Sequence, residues 1–484
     1  MPAVIGTFPT TQRIARGDVK RRRLVALVFV IYGLLIFEGA IRKWVLPEAG
    51  QALFFIRVPV TLLLYWLAFY YRRWPRTRPP LFFAYVIMIA AALLVPLQLF
   101  IGGYSMRHII LAGYGWILYF FYIPLAFLIA EQFRREDLER VMRITLWLAV
   151  AAAPLVLLQF ASPPGSIVNQ GSGLDEETQF QGLRAALGRV RPTGFFTATN
   201  GHGMFVTSVA AFVVVFLSQA TRTKAVPQWL LWGAIAAVVT MVGVSGSRGL
   251  FLQAAVILAA TAFAGALARR QRIAIRAGVW PVVLVIGAAV LWPIVLPDGF
   301  DVFMARWTGA WEAETQRSGF EYGIFSRALY GFYGFLYHLR DTPIQGYLLG
   351  IGGNAAKQLD WVQLPPAYYA WDQYGAWAED AWSRHIVDLG LVVGLLTILG
   401  RVALTVWLGL RAAQATRRTG DVLPFVLFGF LFFPMLYGQI QGHGTLNGYA
   451  WLFFGFCLAA AKSAERGHAE NSAFRLWSPN AGST

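Results

Sequence analysis

Thirteen arginines (Arg42, Arg57, Arg107, Arg184, Arg189, Arg191, Arg248, Arg306, Arg317, Arg327, Arg340, Arg384 and Arg401) fall on one side of the chain's apolar runs, with only Lys43 and Lys357 beside them. An arginine presents a planar fork that matches two phosphate oxygens, whereas a lysine is a point charge. The bias points to a phosphate-bearing ligand. His108, His202, His338, His385 and His443 lie on or near the same side, and only His468 lies on the other. No two of them have zinc-site spacing, so no metal is expected. The chain has no G-x-x-x-x-G-K-[ST] phosphate loop and no D-x-D carboxylate pair. Gly350-Ile351-Gly352-Gly353 follows no βαβ pattern and does not read as a dinucleotide site. Glu38 through Arg42, Lys43 and Trp44 places one carboxylate and two bases at the end of an apolar run. That patch reads either as a local ion pair or as a guide for a lipid phosphate. An arginine at the centre of a membrane helix costs about 2.5–3.5 kcal/mol on insertion scales, so buried charges need partners and usually mark function.

The elements that must position these groups are apolar helices. The 484 residues are 57% hydrophobic and only 13% charged, with a mean hydropathy of +0.55. Soluble chains carry about 25% charged residues. This composition excludes a cytosolic enzyme, a DNA-binding protein and a disordered scaffold. It fits an all-α polytopic membrane protein, since about 20 apolar residues span a bilayer as a helix. Twelve spans are expected, at 24–44, 52–71, 81–101, 108–130, 143–161, 203–220, 229–247, 249–267, 278–296, 386–408, 422–440 and 447–461. The lone Cys457 forms no internal disulfide and reads as a packed thiol.

Net charge is +17, and its placement gives orientation. Alternate short segments hold 26 of the 41 Lys and Arg residues, so by the positive-inside bias those segments and both termini are cytoplasmic. The positive charge faces the anionic inner leaflet, which removes the nucleic-acid reading. Residues 1–23 form a basic cytoplasmic N-terminus. Spans one to nine fill 24–296, with an outer loop at 162–202. A large outer loop occupies 297–385, spans ten to twelve occupy 386–461, and 462–484 form a cytoplasmic tail whose residues 467–484 are expected to be disordered. From 297 to 382 the large loop carries ten acids against five bases, with six Trp and eight Tyr. The aromatic residues suit an interfacial belt, and also stacking on sugar faces. A loop this long is expected to fold and carry function.

Three patches resemble one family. Ser245-Gly246-Ser247-Arg248-Gly249 resembles an S-x-S-R-G signature. Arg191-Pro192-Thr193-Gly194-Phe195-Phe196 through Asn200 resembles R-x-x-G-x-F-x-x-P-N, with Thr199 where proline is usual. Glu379-Asp380 through Asp388-Leu389-Gly390 resembles H-N-x-x-L-x-x-x-x-E-x-G, with Glu-Asp replacing His-Asn. These signatures belong to the bacterial O-antigen ligase and Wzy-type polysaccharide polymerase superfamily. A large outer loop before span ten is similar too.

The resemblance implies a GT-C-like fold and an inverting, metal-independent, cofactor-free glycosyltransferase in the bacterial inner membrane, its active site facing the periplasm. Its donor would be an undecaprenyl-diphosphate-linked glycan. Membrane lipids, a flippase and chain-length or export proteins would be its partners. Arg248, Arg191 and Arg327 would bind the diphosphate, with Ser247 and Arg42 in support. Glu379 would be the base, oriented by Asp380, with His385 as a displaced alternative. The missing His favours a polymerase joining repeat units over a ligase acting on lipid A core. A transporter or flippase would need ionisable residues near mid-membrane. The polar signals cluster instead at the outer surface, with Arg401 the one that can sit deep in span ten.

Overall fold

A computed structural model describes residues 10–76, 78–100, 108–171, 186–219, 226–268, 271–318, 350 and 381–477. Every regular element among them is helical. The helices are α1 (Thr10–Ala40), α2 (Arg57–Tyr70), α3 (Pro79–Phe100), α4 (His108–Trp116), α5 (Ile123–Gln132), α6 (Arg135–Ala161), α7 (Thr199–Ser218), α8 (Gln228–Ser245), α9 (Arg248–Leu267), α10 (Gln271–Val295), α11 (Pro297–Ser318), α12 (Ala381–Thr419), α13 (Leu423–Leu436) and α14 (Gly444–Trp477). A π-helical turn, Ile117–Phe121, joins α4 to α5 as one span, and another, Ile41–Val45, ends the first span. Among the described residues ten spans are long and apolar enough to cross a membrane, and α2 and α13 are shorter apolar helices. The chain is a multi-pass membrane protein, and each of the twelve expected spans has a helix.

Burial follows position in the bundle. Helix α7 and the inner half of α14 are enclosed by other helices, and Tyr449 through Ala461 are buried without interruption. Helix α14 packs on α5, α6, α7, α12 and α13. Helix α10 instead leaves Ile275, Val282, Ile286 and Val290 outward. In lipid an outward apolar face carries no penalty, so these helices are not amphipathic in the soluble sense.

Two spans are broken. Helix α12 carries a reversal at Gly390, whose φ of 71° and ψ of 173° suit glycine alone. There the segment before Gly390 folds back, so that a Cβ on Gly394 would meet the His385 carbonyl oxygen at 2.6 Å. Gly350, at φ 68°, lies so close to this reversal that its Cβ would meet the Gly390 nitrogen at 2.4 Å. That close approach explains a glycine in the 350–353 run. Helix α13 ends at Leu436, and residues 437–443 run irregularly before α14.

The C-terminal boundary differs from expectation. The last helix continues to Trp477, because its Ala-, Glu- and Arg-rich sequence propagates a helix once α14 has nucleated it. The expected disorder over 467–484 therefore does not hold up to residue 477, and 478–484 lie outside the described residues. The large loop begins as helix α11, while 319–349 and 351–380 lie outside the described residues.

Candidate functional site

Helix α8 ends at Ser245, and Gly246 caps it at φ 54° and ψ 25°, a left-handed conformation that costs glycine nothing. Ser247 is extended, and α9 starts at Arg248. The Ser245 hydroxyl donates to the Val242 carbonyl at 2.8 Å and accepts the Ser247 N–H at 3.2 Å. The two serines therefore shape the turn, and the turn sets Arg248 at a helix N-terminus, where backbone N–H groups favour anions.

Helix α11 brings a second arginine to this turn. Trp292 donates to the Gly243 carbonyl at 3.1 Å, and Gly299 sits so tightly on Gly243 that a Cβ would lie 2.6 Å from its oxygen. Two turns further along, Arg306 Nη1 donates to the Gly246 carbonyl at 2.7 Å. Burial and the neighbouring Arg248 lower the Arg306 guanidinium below its ordinary value. Burial and Arg306 lower Arg191 to about 10, which still leaves it charged at neutral pH. Arg191 Nε is buried with no hydrogen-bond partner among the described residues. Arg191, Arg306 and Arg248 thus form one set of like charges that repel each other, with an unused donor among them. Such an arrangement suits a multivalent anion.

The segment bearing Arg191 is held from beneath. The Gln159 side-chain oxygen accepts the N–H groups of Thr193 (3.2 Å) and Gly194 (2.8 Å), and its amide donates to the Gly194 carbonyl at 3.2 Å. Lys43, only 2% exposed, donates to Thr193 Oγ1 at 3.1 Å and to the Gly194 carbonyl at 2.9 Å. Gly39 of α1 lies against the backbone of Phe195 and Phe196, closer than a Cβ would allow. Arg189 pairs with Asp298 at the start of α11. The R-P-T-G-F-F stretch is thereby fixed between the first span, α6 and α11.

Glu38 pairs with Arg57 at 2.9 Å and Arg42 at 3.5 Å. The local ion pair expected from the sequence is present, with Arg57 as an added partner. Arg57 fits between α2 and α14 because residue 448 is glycine: a Cβ there would lie 2.3 Å from Arg57 Nη1.

His385 sits in a different environment. Arg401 is buried in α12 and donates to the carbonyls of Pro434 (2.9 Å), Gly438 (2.8 Å) and Met435 (3.3 Å), capping the end of the short helix α13. It also meets His385 Nε2 at 3.2 Å. Arginine can only donate, so Nε2 is the acceptor and the ring proton falls on Nδ1. Nδ1 faces the Gln441 amide at 3.5 Å, a contact that requires the amide oxygen there. Tyr119 stands edge-on to the ring at 5.0 Å and donates to Asp388 at 2.9 Å. The lone pair a base needs is therefore occupied.

Of the residues singled out from sequence, Arg248, Ser247 and Arg191 come together, Arg42 lies in the Glu38 cluster, and His385 lies in the Arg401 network. Glu379, Asp380 and Arg327 lie outside the described residues. Arg306 and Lys43 were legible only as members of a charge census, because what distinguishes them is a contact 60 and 150 residues away along the chain. Neither the models of known protein families nor the curated proteins contain a match to this chain.

Proposed function

We propose that this protein transfers a glycan from a polyprenyl-diphosphate carrier to a sugar hydroxyl, as a Wzy-type polymerase joining repeat units at the outer face of a bacterial inner membrane. The observation that carries the reading is the set of Arg191, Arg306 and Arg248 around the Gly246 turn. In the reaction the acceptor oxygen bonds to the anomeric carbon as the bond from that carbon to the diphosphate oxygen breaks. The acceptor hydroxyl gives its proton to a base, and the leaving diphosphate gains negative charge. Guanidinium groups fixed before the reaction stabilise that charge most where it develops. Among the described residues no group of three His, Cys, Asp or Glu side chains is placed to hold a metal. The base is proposed to be Glu379, with Asp380 orienting it. The occupied Nε2 of His385 favours a positioning role for that residue.

A second reading, a transporter or flippase for lipid-linked sugars, gains support from Arg401, which is buried within a span and donates to the carbonyls at the end of the short helix α13. Purified protein given an undecaprenyl-diphosphate-linked repeat unit in EDTA separates the readings. A ladder of multiples supports the polymerase. Transfer only after addition of lipid A core indicates an O-antigen ligase. No transfer, with the lipid crossing vesicle bilayers, indicates the transporter.

A further inference from the structure

At the opposite end of the bundle from the arginine turn lies a hollow of about 670 Å³ between α3, α5, α12 and α14. Its floor is apolar, with Phe127, Trp407 and Leu458, and its rim is basic, with Arg76, Arg78, Arg411 and Lys462. Glu131 is already paired by Arg78 at 3.5 Å and by Lys462. Arg76 and Arg411 have no carboxylate partner among the described residues, and both are exposed. Arg76 also lines a neighbouring polar hollow of about 320 Å³ with Arg21, Arg73, Arg134 and Arg466.

The basic hollow continues into an apolar groove of about 610 Å³, since Pro79, Pro80 and Trp407 line both. The groove runs between α3 and α12 and ends at His385, Arg401 and Gln441. Its edges are open: Phe83 is 63% exposed and Leu399 63%. In a bilayer those edges face hydrocarbon. From Trp407 to Leu396 the α12 wall is about 16 Å long at 1.5 Å per residue, close to half of the roughly 30 Å hydrocarbon thickness. Depth of one leaflet, an open apolar side and a basic mouth are the dimensions of one lipid molecule.

We infer that this groove binds an anionic glycerophospholipid, its phosphate between Arg76 and Arg411 and one acyl chain along α3 and α12 as far as Arg401. The charge complementarity is specific: the rim has four bases to two acids, and the two acids are Glu131, already bridged, and Glu465. A phosphocholine headgroup would bring its own cation to this rim, whereas phosphatidylglycerol brings only the phosphate. The site is independent of the reading of the arginine turn.

Delipidated full-length protein in detergent is titrated with phosphatidylglycerol, phosphatidylcholine or inorganic phosphate and followed by native mass spectrometry and by unfolding temperature. Phosphatidylglycerol is expected to remain bound and raise the unfolding temperature, with at least tenfold weaker binding of phosphatidylcholine and no effect of phosphate. Arg76→Gln with Arg411→Gln is expected to reduce phosphatidylglycerol binding at least tenfold. Ala403→Trp, at an exposed position on the groove wall, blocks the tail without touching the rim and is expected to do the same. Equal binding of the two lipids, stabilisation by phosphate alone, or wild-type binding by both variants would overturn the inference.

Discussion

Arg306 donates to the Gly246 carbonyl oxygen at 2.7 Å, so the cap of helix α8 is also the clamp that aims an arginine of the large loop at Arg248. The bond joins two segments 60 residues apart and places a loop helix, not only the spans, in the candidate site. Arg306→Ala is expected to slow glycan transfer by roughly 10- to 150-fold, the equivalent of one charge-assisted hydrogen bond of about 1.5–3 kcal/mol made in the transition state. Arg306→Lys is expected to recover only part of that rate, because one ammonium cannot donate to Gly246 and to a phosphate in the guanidinium's geometry. The rate of ladder growth measures both. A normal rate in Arg306→Ala would remove this residue from the site.

Two glycines of the same motif are expected to behave oppositely. Gly246→Ala forces a side chain into the left-handed region, at a cost of about 1–2 kcal/mol, and brings a Cβ within 3.4 Å of Arg306 Cδ. It should lower the unfolding temperature. Gly249 is exposed at the start of α9, and a Cβ there meets nothing within 4 Å. Gly249→Ala should leave stability unchanged or raise it by about 0.5–1 kcal/mol. Its transfer rate should fall if the diphosphate packs on this turn. Unchanged transfer in Gly249→Ala would place the anion elsewhere.

Gln159 holds two backbone N–H groups with a single oxygen. Gln159→Leu is expected to destabilise the protein by roughly 1–3 kcal/mol for each donor it leaves buried and unpaired. Limited proteolysis should then cut near 191–196 sooner than in the wild type. An unchanged cleavage pattern and melting curve would mean that Lys43 alone secures the segment.

Arg401 and His385 can be separated by their substitutions. Arg401→Leu removes the arginine donor from three carbonyls at the end of α13, of which Gly438 keeps the Ile440 N–H at 2.8 Å, and is expected to cost roughly 2 kcal/mol or more, read as loss of folded protein in detergent. His385→Gln keeps an acceptor for Arg401, so stability should hold and transfer should fall less than tenfold. A fall of about 100- to 10,000-fold, with the pH dependence of transfer also lost, would identify His385 as the general base instead.

Much of the architecture was readable in the chain itself. A bilayer core needs a fixed length of apolar helix, so runs such as 229–247 and 249–267 announced α8 and α9 to within two residues. Ser245-Gly246-Ser247 was readable as a signature at their junction, while the left-handed cap that Gly246 makes there came from the structure. The basic short segments predict the alternation of the helix ends through the positive-inside bias. Tertiary structure alone decided which arginine meets which. Nothing local distinguishes Arg306 from Arg317, Lys43 from an interfacial lysine, or Arg401 from a lipid-facing charge. Their partners are Gly246, Gly194 and Pro434, each reached through packing of separate helices. Hydropathy is a sum over neighbours in sequence, whereas a hydrogen bond to a carbonyl depends on where a second helix ends, and that end is fixed only when the bundle closes.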